Sequence, residues 1–525
     1  MSDAPMALPE IEKLHVGEAG SWILYDVANT VYAATISFVF SVYIAMNFGD
    51  AGTQGVGITQ TVSMVLTGLS VPFLAALADR TGKARLYLII MSLVCILAMG
   101  AFAIDAPLAM LLLFFGLANF AYQGALVFYN SLLPSVAPIS KAGLVSGLGT
   151  GLGYIGTLLV LVFALMIQEK EGTQTAFLAC AILFTLLALP CFLFVRERRV
   201  AYREKVSKEL LGERWRALTS TIKGLPKDRK VMFFLIGNFW CVDVLNTALL
   251  FFAPYSLAVW GGHHFGVFGM DIDLRYYVEA GSDAMMLPGQ KSFLMVIGLL
   301  LNGLALFFGV MLGVLADKWG ALRALRLSAF FLMLAIIAGF LFAGRGLESD
   351  QIAKLKEQAK SSVVQDSSSL AQQADWQDLA QELDVSVSPV SAEFVAEREK
   401  MRAKSTIPQS VMVPQLVIER ETKRPWFPML FVLSLGVLGG LGLAGIWTAG
   451  RKVLMEIAPR EKLGEYFGLY GITTKVSVFG STTFALIMTS ANARSALLFQ
   501  ALPLALGIYF LSKLHAVNKS NAARL

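Results

Sequence analysis

Two acidic tracts hold the clearest chemistry in this chain. Asp26-Val27-Ala28-Asn29-Thr30 returns as Asp243-Val244-Leu245-Asn246-Thr247, 217 positions later, and both copies lie inside strongly apolar stretches. A carboxylate in hydrocarbon is expensive and by default marks a functional position. In each copy the acid and the amide stand three residues apart, so they share one helix face, in the first copy with Ala33 and Ser37. A carboxylate in low dielectric resists ionisation and can exchange a proton during a working cycle. The structural alternative is a helix-end acid that reaches the interface or pairs with a base on a partner helix. Inherited duplication is compatible with both.

Lys475 is the basic counterpart. It stands about 10 residues, roughly 15 Å at about 1.5 Å per residue, into its apolar run, near mid-membrane. A lysine there must face a cavity or a carboxylate. It shares a face with Gly468, Gly471 and Thr482, which points it at other helices, as an anchor for a substrate anion or as the partner of an aspartate. Asn119, Gln123 and Asn130 form one polar stripe at spacings of four and seven. Such stripes contact substrate or bond one helix to another. Arg451 stands eight residues before the Pro459 of Ala458-Pro459, as Asn130 stands before the Pro138 of Ala137-Pro138. It reads as a gate ion pair or as a side chain reaching the interface. Tyr25, Tyr32, Tyr122 and Trp447 suit a cavity wall, although aromatic packing is the commoner use.

These residues require membrane helices to position them. Of 525 residues, 56% are hydrophobic and only 15% charged, with mean hydropathy +0.64. Soluble chains carry about a quarter charged residues. Apolar stretches of about 18 to 27 residues, enough to span a bilayer core, fall near 20–46, 56–78, 86–104, 108–133, 144–168 and 174–195. A second set falls near 231–260, 292–316, 324–344, 426–449, 465–489 and 495–514. The pattern predicts an all-α membrane protein of twelve transmembrane helices in two six-helix bundles, 1–195 and 231–525. Between them the 196–230 linker is dense in Arg and Lys, which keeps it cytoplasmic and, with an even helix count, both termini as well. No cleavable signal peptide is evident in the first residues. The polar segment 347–424 falls outside the cytoplasm by helix parity. It reads as a tolerated loop insertion, with amphipathic helices at 352–360 and 375–383, or as a cap that binds a partner or gates.

The duplication extends beyond the acidic tracts. Leu77-Ala78-Asp79-Arg80-Thr81-Gly82-Lys83-Ala84-Arg85 follows the second span, and Leu315-Ala316-Asp317-Lys318-Trp319-Gly320-Ala321-Leu322-Arg323 follows the eighth. Ala137-Pro138 with Gly143 and Gly147 matches Ala458-Pro459 with Gly464 and Gly468. Here the chain resembles the major facilitator superfamily, whose short loop G-x-x-x-D-R-x-G-R-R the second copy resembles from Gly313. In the first copy Ala75 replaces the leading glycine. Leu24-Tyr25-Asp26-Val27-Ala28-Asn29, Phe128-Tyr129-Asn130-Ser131-Leu132-Leu133-Pro134 and Glu465-Tyr466-Phe467-Gly468-Leu469-Tyr470 resemble a narrower branch. That branch is the vacuole effluxer (autophagy-related permease) family with its bacterial relatives. The resemblance covers all but 347–424. It implies two pseudosymmetric bundles with alternating access, and gating roles for Asp79, Arg80, Asp317 and Lys318. Asp79 would cap a helix N-terminus across the bundle interface, where an anion is favoured. Fungal members of the branch are associated with amino-acid efflux.

Other motifs carry less. Gly147 to Gly153 is glycine-rich but follows no strand, so Gly143, Gly147 and Gly151 read as a close-packing face rather than a phosphate loop. His263-His264 has no companion ligands, and Cys95, Cys180, Cys191 and Cys241 lie in apolar runs without metal spacing. No Walker lysine loop, nucleophile triad or zinc motif is present, so neither an enzyme nor a bound cofactor or metal is expected. The net charge of +6 fits a cytoplasmic lysine and arginine excess rather than a nucleic-acid footprint. The expectation is a monomeric secondary transporter in a lipid bilayer, in a bacterial inner membrane. It moves a small polar or zwitterionic solute, amino acids or short peptides first, coupled to protons. The pathway would be Asp26, Asn29, Asn119, Gln123, Asn130, Asp243, Asn246 and Lys475, gated by the loop residues with Arg451. The rivals are a sugar or drug exporter of the same fold and a non-transporting receptor or scaffold built on 347–424.

Overall fold

A computed structural model describes residues 14–81, 83–137, 139–164, 166–167, 171–196, 212, 216, 219–220, 223–283, 285–363, 366–404, 412–457 and 463–522. Long runs of Leu, Ala, Phe and Met form helices because lipid offers backbone groups no partner, so each segment must bond internally. The first half contains α1 (Val16–Ala34), continued by a π turn over Thr35–Phe40, then α2 (Ser41–Thr81), α3 (Ala84–Gly100), α4 (Leu108–Val136), α5 (Ile139–Leu159) and α6 (Thr173–Phe194). The second half opens with α7 (Arg229–Trp260), α8 (Gln290–Trp319) and α9 (Ala321–Leu341). Four helices then belong to the insert: α10 (Ser349–Ser361), α11 (Ser367–Ala371), α12 (Ala374–Leu383) and α13 (Ala392–Lys404). The chain returns through α14 (Phe427–Ser434), α15 (Gly440–Ile457), α16 (Leu463–Val476), α17 (Phe479–Ser490), α18 (Ala493–Phe499) and α19 (Ala501–Ala522).

Nine stretches among the described residues are long and apolar enough to cross a bilayer, the first being Val16–Ser70. That stretch is not one rod. Gly49 has φ +56°, and a Cβ on Gly52 would stand 2.8 Å from the carbonyl oxygen of Ile44. Eight residues of straight helix would separate those positions by about 12 Å. The chain therefore turns back at Gly49, where a left-handed conformation suits glycine.

The two halves repeat one packing plan. In the first, α1 packs on α5 and α6, α2 on α4, and α3 on α4 and α6. In the second, α7 packs on α16–α17 and α19, α8 on α15, and α9 on α15 and α19. Each pair matches its counterpart six spans away. The halves meet through α2 against α16–α17 and α5 against α8, again as counterparts. Two bundles related by pseudosymmetry follow, as the sequence pattern predicts.

The insert departs from a simple loop. A hairpin of β1 (His264–Val267) and β2 (Met270–Asp273) turns through Phe268 and Gly269, both at positive φ. A second sheet runs in the order β4 (Met285–Met286), β3 (Tyr276–Val278), β6 (Leu416–Glu419), β5 (Ser386–Pro389), all antiparallel. The loop after α7 thus pairs with a segment about 140 residues later. Helices α10 to α12 bury Leu355, Leu370, Trp376 and Leu383 against this sheet. Arg420 ties the cap to the bundle by donating to the carbonyls of Arg345, Gly346 and Leu383. The helical expectations at 352–360 and 375–383 fall in α10 and α12. The strands, two to four residues each, are too short to show an alternation.

Candidate functional site

The second acidic tract lies at a break in a membrane helix. Between α16 and α17 the chain leaves helical geometry at Ser477-Val478, with Val478 at φ −148°, ψ 9°. A break inside a membrane leaves N–H and C=O groups without intrahelical partners. Side chains from α7 and α2 supply them. Asp243 Oδ1 and Oδ2 accept the Gly480 N–H at 3.0 and 3.1 Å, and Asn246 Nδ2 donates to the Ser477 carbonyl at 2.9 Å. Thr61 Oγ1, from the other half, donates to the Val478 carbonyl at 2.9 Å. Asp243 is only 1% exposed. It caps α17, an anion at a helix N-terminus where the macrodipole favours it.

The first acidic tract faces a continuous helix. Asp26 is half-buried, and a Cβ on Gly149 of α5 would stand 3.1 Å from its Oδ2. One turn on, Thr30 Oγ1 bonds the Gly153 carbonyl. Val27 and Thr30 leave no room for a side chain at Gly156. Nothing lies within 4 Å of a Cβ at Gly151. The close-packing face is therefore Gly149, Gly153 and Gly156, and Gly151 is corrected out of it. Gly143 and Gly147 have side-chain positions outside the described set. Asn29, 2% exposed, finds no hydrogen-bond partner for either amide atom among the described residues.

Lys475 crosses between the halves. Its stem packs over α2, 3.7 Å from a Cβ placed on Gly68, and its Nζ donates to Gln123 Oε1 on α4. Asp26 Oδ2 and the Tyr129 hydroxyl of α4 lie 3.1 and 3.4 Å from a Cβ placed on Gly149, so the carboxylate of one half lies against the same helix that the ammonium of the other reaches. The expected polar stripe on α4 divides. Asn119, 4% exposed, donates to Ser63 Oγ of α2 at 2.8 Å and bonds helix to helix, while Asn130 is exposed. Tyr25 is fully buried with its hydroxyl against Ser92, and Tyr32 stacks on Tyr122 at 4.5 Å. Trp447 packs on the core of the second half.

The residues expected to gate lie mostly outside the described side chains. Asp79, Arg80, Asp317 and Arg451 lie at helix ends with their side chains outside the described set, and Lys318 is exposed. Besides Lys475 with Gln123, described side chains join the halves where Gln54 meets Thr489 at 2.8 Å, Thr61 meets Thr482 at 2.8 Å, and Phe38 lies edge-on to Phe252. Residues that sequence reasoning missed cluster at the break: Thr61, Thr247, Ser481 and Gln500. A lone glutamine in the apolar run of the twelfth span was the available signal for Gln500.

The sequence profile of the Major Facilitator Superfamily matches residues 26–349. The chain belongs to the Major Facilitator Superfamily. It is a multi-pass integral membrane protein. The uncharacterized MFS-type transporter YxiO of Bacillus subtilis (strain 168) is 27% identical over 259 residues, covering 46% of this chain and 60% of that protein. An uncharacterized protein of Aquifex aeolicus (strain VF5) is 24% identical over 243 residues, 46% of this chain and 57% of its own length. The chain thus spans about 60% of the length of these curated relatives. Among solved structures, nucleoside transporter NupG matches with TM-score 0.56 and 12% identity over 95% of this chain and 98% of that one. A peptide transporter, POT in complex with sulfate, matches with TM-score 0.57 and 12% identity over 94% of each chain. At these identities the likeness establishes the major facilitator fold alone.

Proposed function

We propose that this major facilitator protein is a secondary active transporter of a small polar or zwitterionic solute, with amino acids and short peptides the leading class. The reading rests on one observation above the rest: Lys475 of the second half reaches Gln123 on α4, the helix whose Tyr129 hydroxyl stands beside Asp26 at Gly149. A fixed ammonium and a fixed carboxylate on opposite halves suit the two ends of a zwitterion. Their separation changes as the halves rock, which is how a bundle interface gives alternating access. Asp26, half-buried, is the carboxylate placed to exchange a proton with the pathway. Asn29, with two unpartnered amide atoms, is a polar contact for solute or water.

The proposed organisation is twelve spans: the two passes either side of Gly49, the broken α16–α17 as the eleventh, and bundles of residues 1–195 and 231–525. The basic 196–230 linker supports cytoplasmic termini. Relatives in Bacillus and Aquifex support a bacterial inner membrane.

The test starts with a thermal-shift screen of purified protein against amino acids, dipeptides, sugars and nucleosides, since a ligand of the folded state raises its apparent stability. The stabilising solute is then used in proteoliposome uptake. Lys475→Gln is expected to express and run monodisperse yet lose binding and transport of the anionic or zwitterionic solute, with Lys475→Arg retaining more. Undiminished uptake in Lys475→Gln overturns the assignment.

A further inference from the structure

The first bundle carries an apolar groove on its outer surface, between α3 and α6, with a volume of about 410 Å³. Small residues line it, Gly100 and Ala101 from the α3 side and Ala181 from α6, and Leu97 and Ile182, 72% and 60% exposed, stand at its edges. Gly100 makes the room: a Cβ there would meet only the Cβ of Ala181, at 3.9 Å. The lining has one polar side chain, Thr185, and its hydroxyl donates to the Ala181 carbonyl at 2.7 Å. The groove therefore offers a guest no free side-chain donor. Gly100 lies opposite Ala181, and Phe102 edge-on to Phe177 at 5.5 Å. This antiparallel register sets Ile104, which also lines the groove, and the exposed Asp105 after it level with the first turn of α6.

Location and size decide what fills it. Both flanking helices are membrane spans, and their outward rows, Ile90 and Leu93 on α3 and Leu186 and Leu193 on α6, are exposed. In a multi-pass membrane protein such rows face hydrocarbon, so the groove opens onto lipid tails. An empty groove would forfeit dispersion contacts on its whole lining. From Leu178 to Thr185 it runs along α6 for about 10 Å at about 1.5 Å per residue. One leaflet supplies roughly 15 Å of a hydrocarbon core about 30 Å thick, so the groove lies within a single leaflet. Its volume over that length gives a section of about 40 Å², too narrow for a partner helix about 10–12 Å across with its side chains. A single extended chain is the occupant that fits. The charge at the Asp105 end narrows the lipid further. In the loops at that end of the first bundle the sequence places Asp50, Asp105, Glu169 and Glu171 against Lys170 alone. A net negative headgroup is repelled there and an ammonium attracted.

We propose that the groove between α3 and α6 binds one acyl chain of a phospholipid whose headgroup is net neutral and carries an amine, with Asp105 selecting that headgroup. The tail lies along Gly100 and Ala181 and braces α3 against α6. The site is separate from the solute pathway, since both helices stand away from the contacts between the halves, α2 with α16–α17 and α5 with α8. Its occupancy is measured without transport and does not depend on the transport reading.

The experiment is photo-crosslinking of the full chain in phosphatidylcholine vesicles that hold a trace of phosphatidylethanolamine with a diazirine in one tail. Peptides containing Leu97–Ile104 and Leu178–Thr185 are expected to label more heavily than the exposed rows at Leu186 and Leu193. Unlabelled phosphatidylethanolamine should compete this signal away at a concentration at least fivefold below that of phosphatidylglycerol with the same tails. Gly100→Leu, which fills the groove where space is open, should cut labelling there at least tenfold with an unchanged melting temperature. Asp105→Asn should keep the labelling and lose the headgroup preference, which separates the site from a misfolded variant. Leu186→Phe, outside the groove, should change neither. Uniform labelling of every exposed row, equal competition by the two lipids, or undiminished labelling in Gly100→Leu overturns the site. A dimer that Gly100→Leu disperses would assign the groove to a second copy instead and also overturn it.

Discussion

The two copies of the acidic motif share a sequence and occupy counterpart helices, yet their partners differ. Asp26 meets an unbroken α5 at Gly149 and stays half-buried beside Tyr129 of α4. Asp243 meets a helix that breaks, and its carboxylate turns to the Gly480 N–H at the start of α17. The neighbouring amides diverge with them. Asn246 is bonded to the break, whereas Asn29 has no partner among the described residues. Duplication therefore preserved the residue types while the partner helix decided their work. One copy lies half-buried against an unbroken helix; the other caps the helix it leans on.

The largest effect that could break this comparison is on stability. Asp243→Ala removes the acceptor of a buried N–H, a loss of about 1–3 kcal/mol, in a chain whose whole margin is typically about 5–15 kcal/mol. Its melting temperature and monodispersity in detergent should fall clearly. Asp26→Ala, beside a continuous helix, should change the melting temperature little. Equal losses in both would mean that the two copies still share one structural role.

A smaller effect separates the cap from the bundles. Burial lowers the pKa of His263, which is 4% exposed between the Arg345 carbonyl and Thr422, with Arg420 adding to the push. The fold holds this imidazole neutral, so its contribution is full above the unfolded value near 6.5 and is lost as pH falls below it. Asp273 is pushed up by burial, but the hydrogen bonds of Arg275 and Tyr277 outweigh that and leave it below the usual carboxylate value. Its contribution holds above that value and disappears as pH falls through the lowered one. Both signs make the cap weaker in acid. Amide protection at Leu416–Glu419, with exchange rates divided by the intrinsic rate at each pH, should fall from about pH 7.5 to about 5.5, and His263→Gln should flatten that dependence. A flat profile in the wild type would show that His263 does not hold the cap.

Much of this architecture is legible from residue types. Spans, bundle symmetry and the mid-membrane lysine follow from hydropathy and from repeats such as Asp79-Arg80 with Asp317-Lys318. The break at Ser477-Val478 is not legible, because neither residue is a helix breaker of the glycine or proline kind. What holds it open is supplied from a distance by Asp243, Asn246 and Thr61. The cap sheet is hidden for a related reason: Tyr276–Val278 and Leu416–Glu419 are each too short to announce a strand and form one only by meeting. Asn119 is legible as a polar position on α4, but the Ser63 opposite it, which makes it a helix-to-helix bond, is not visible from α4 alone.

The central claim is that Asp26, not its twin, is the carboxylate exposed to the pathway. Proteoliposomes loaded with the identified solute give the direct measurement, comparing accumulation driven by a pH gradient with solute exchange at equal pH. Asparagine keeps the shape of aspartate but cannot titrate. Asp26→Asn is expected to abolish gradient-driven accumulation while exchange persists at a similar rate. Undiminished accumulation in Asp26→Asn would contradict the account.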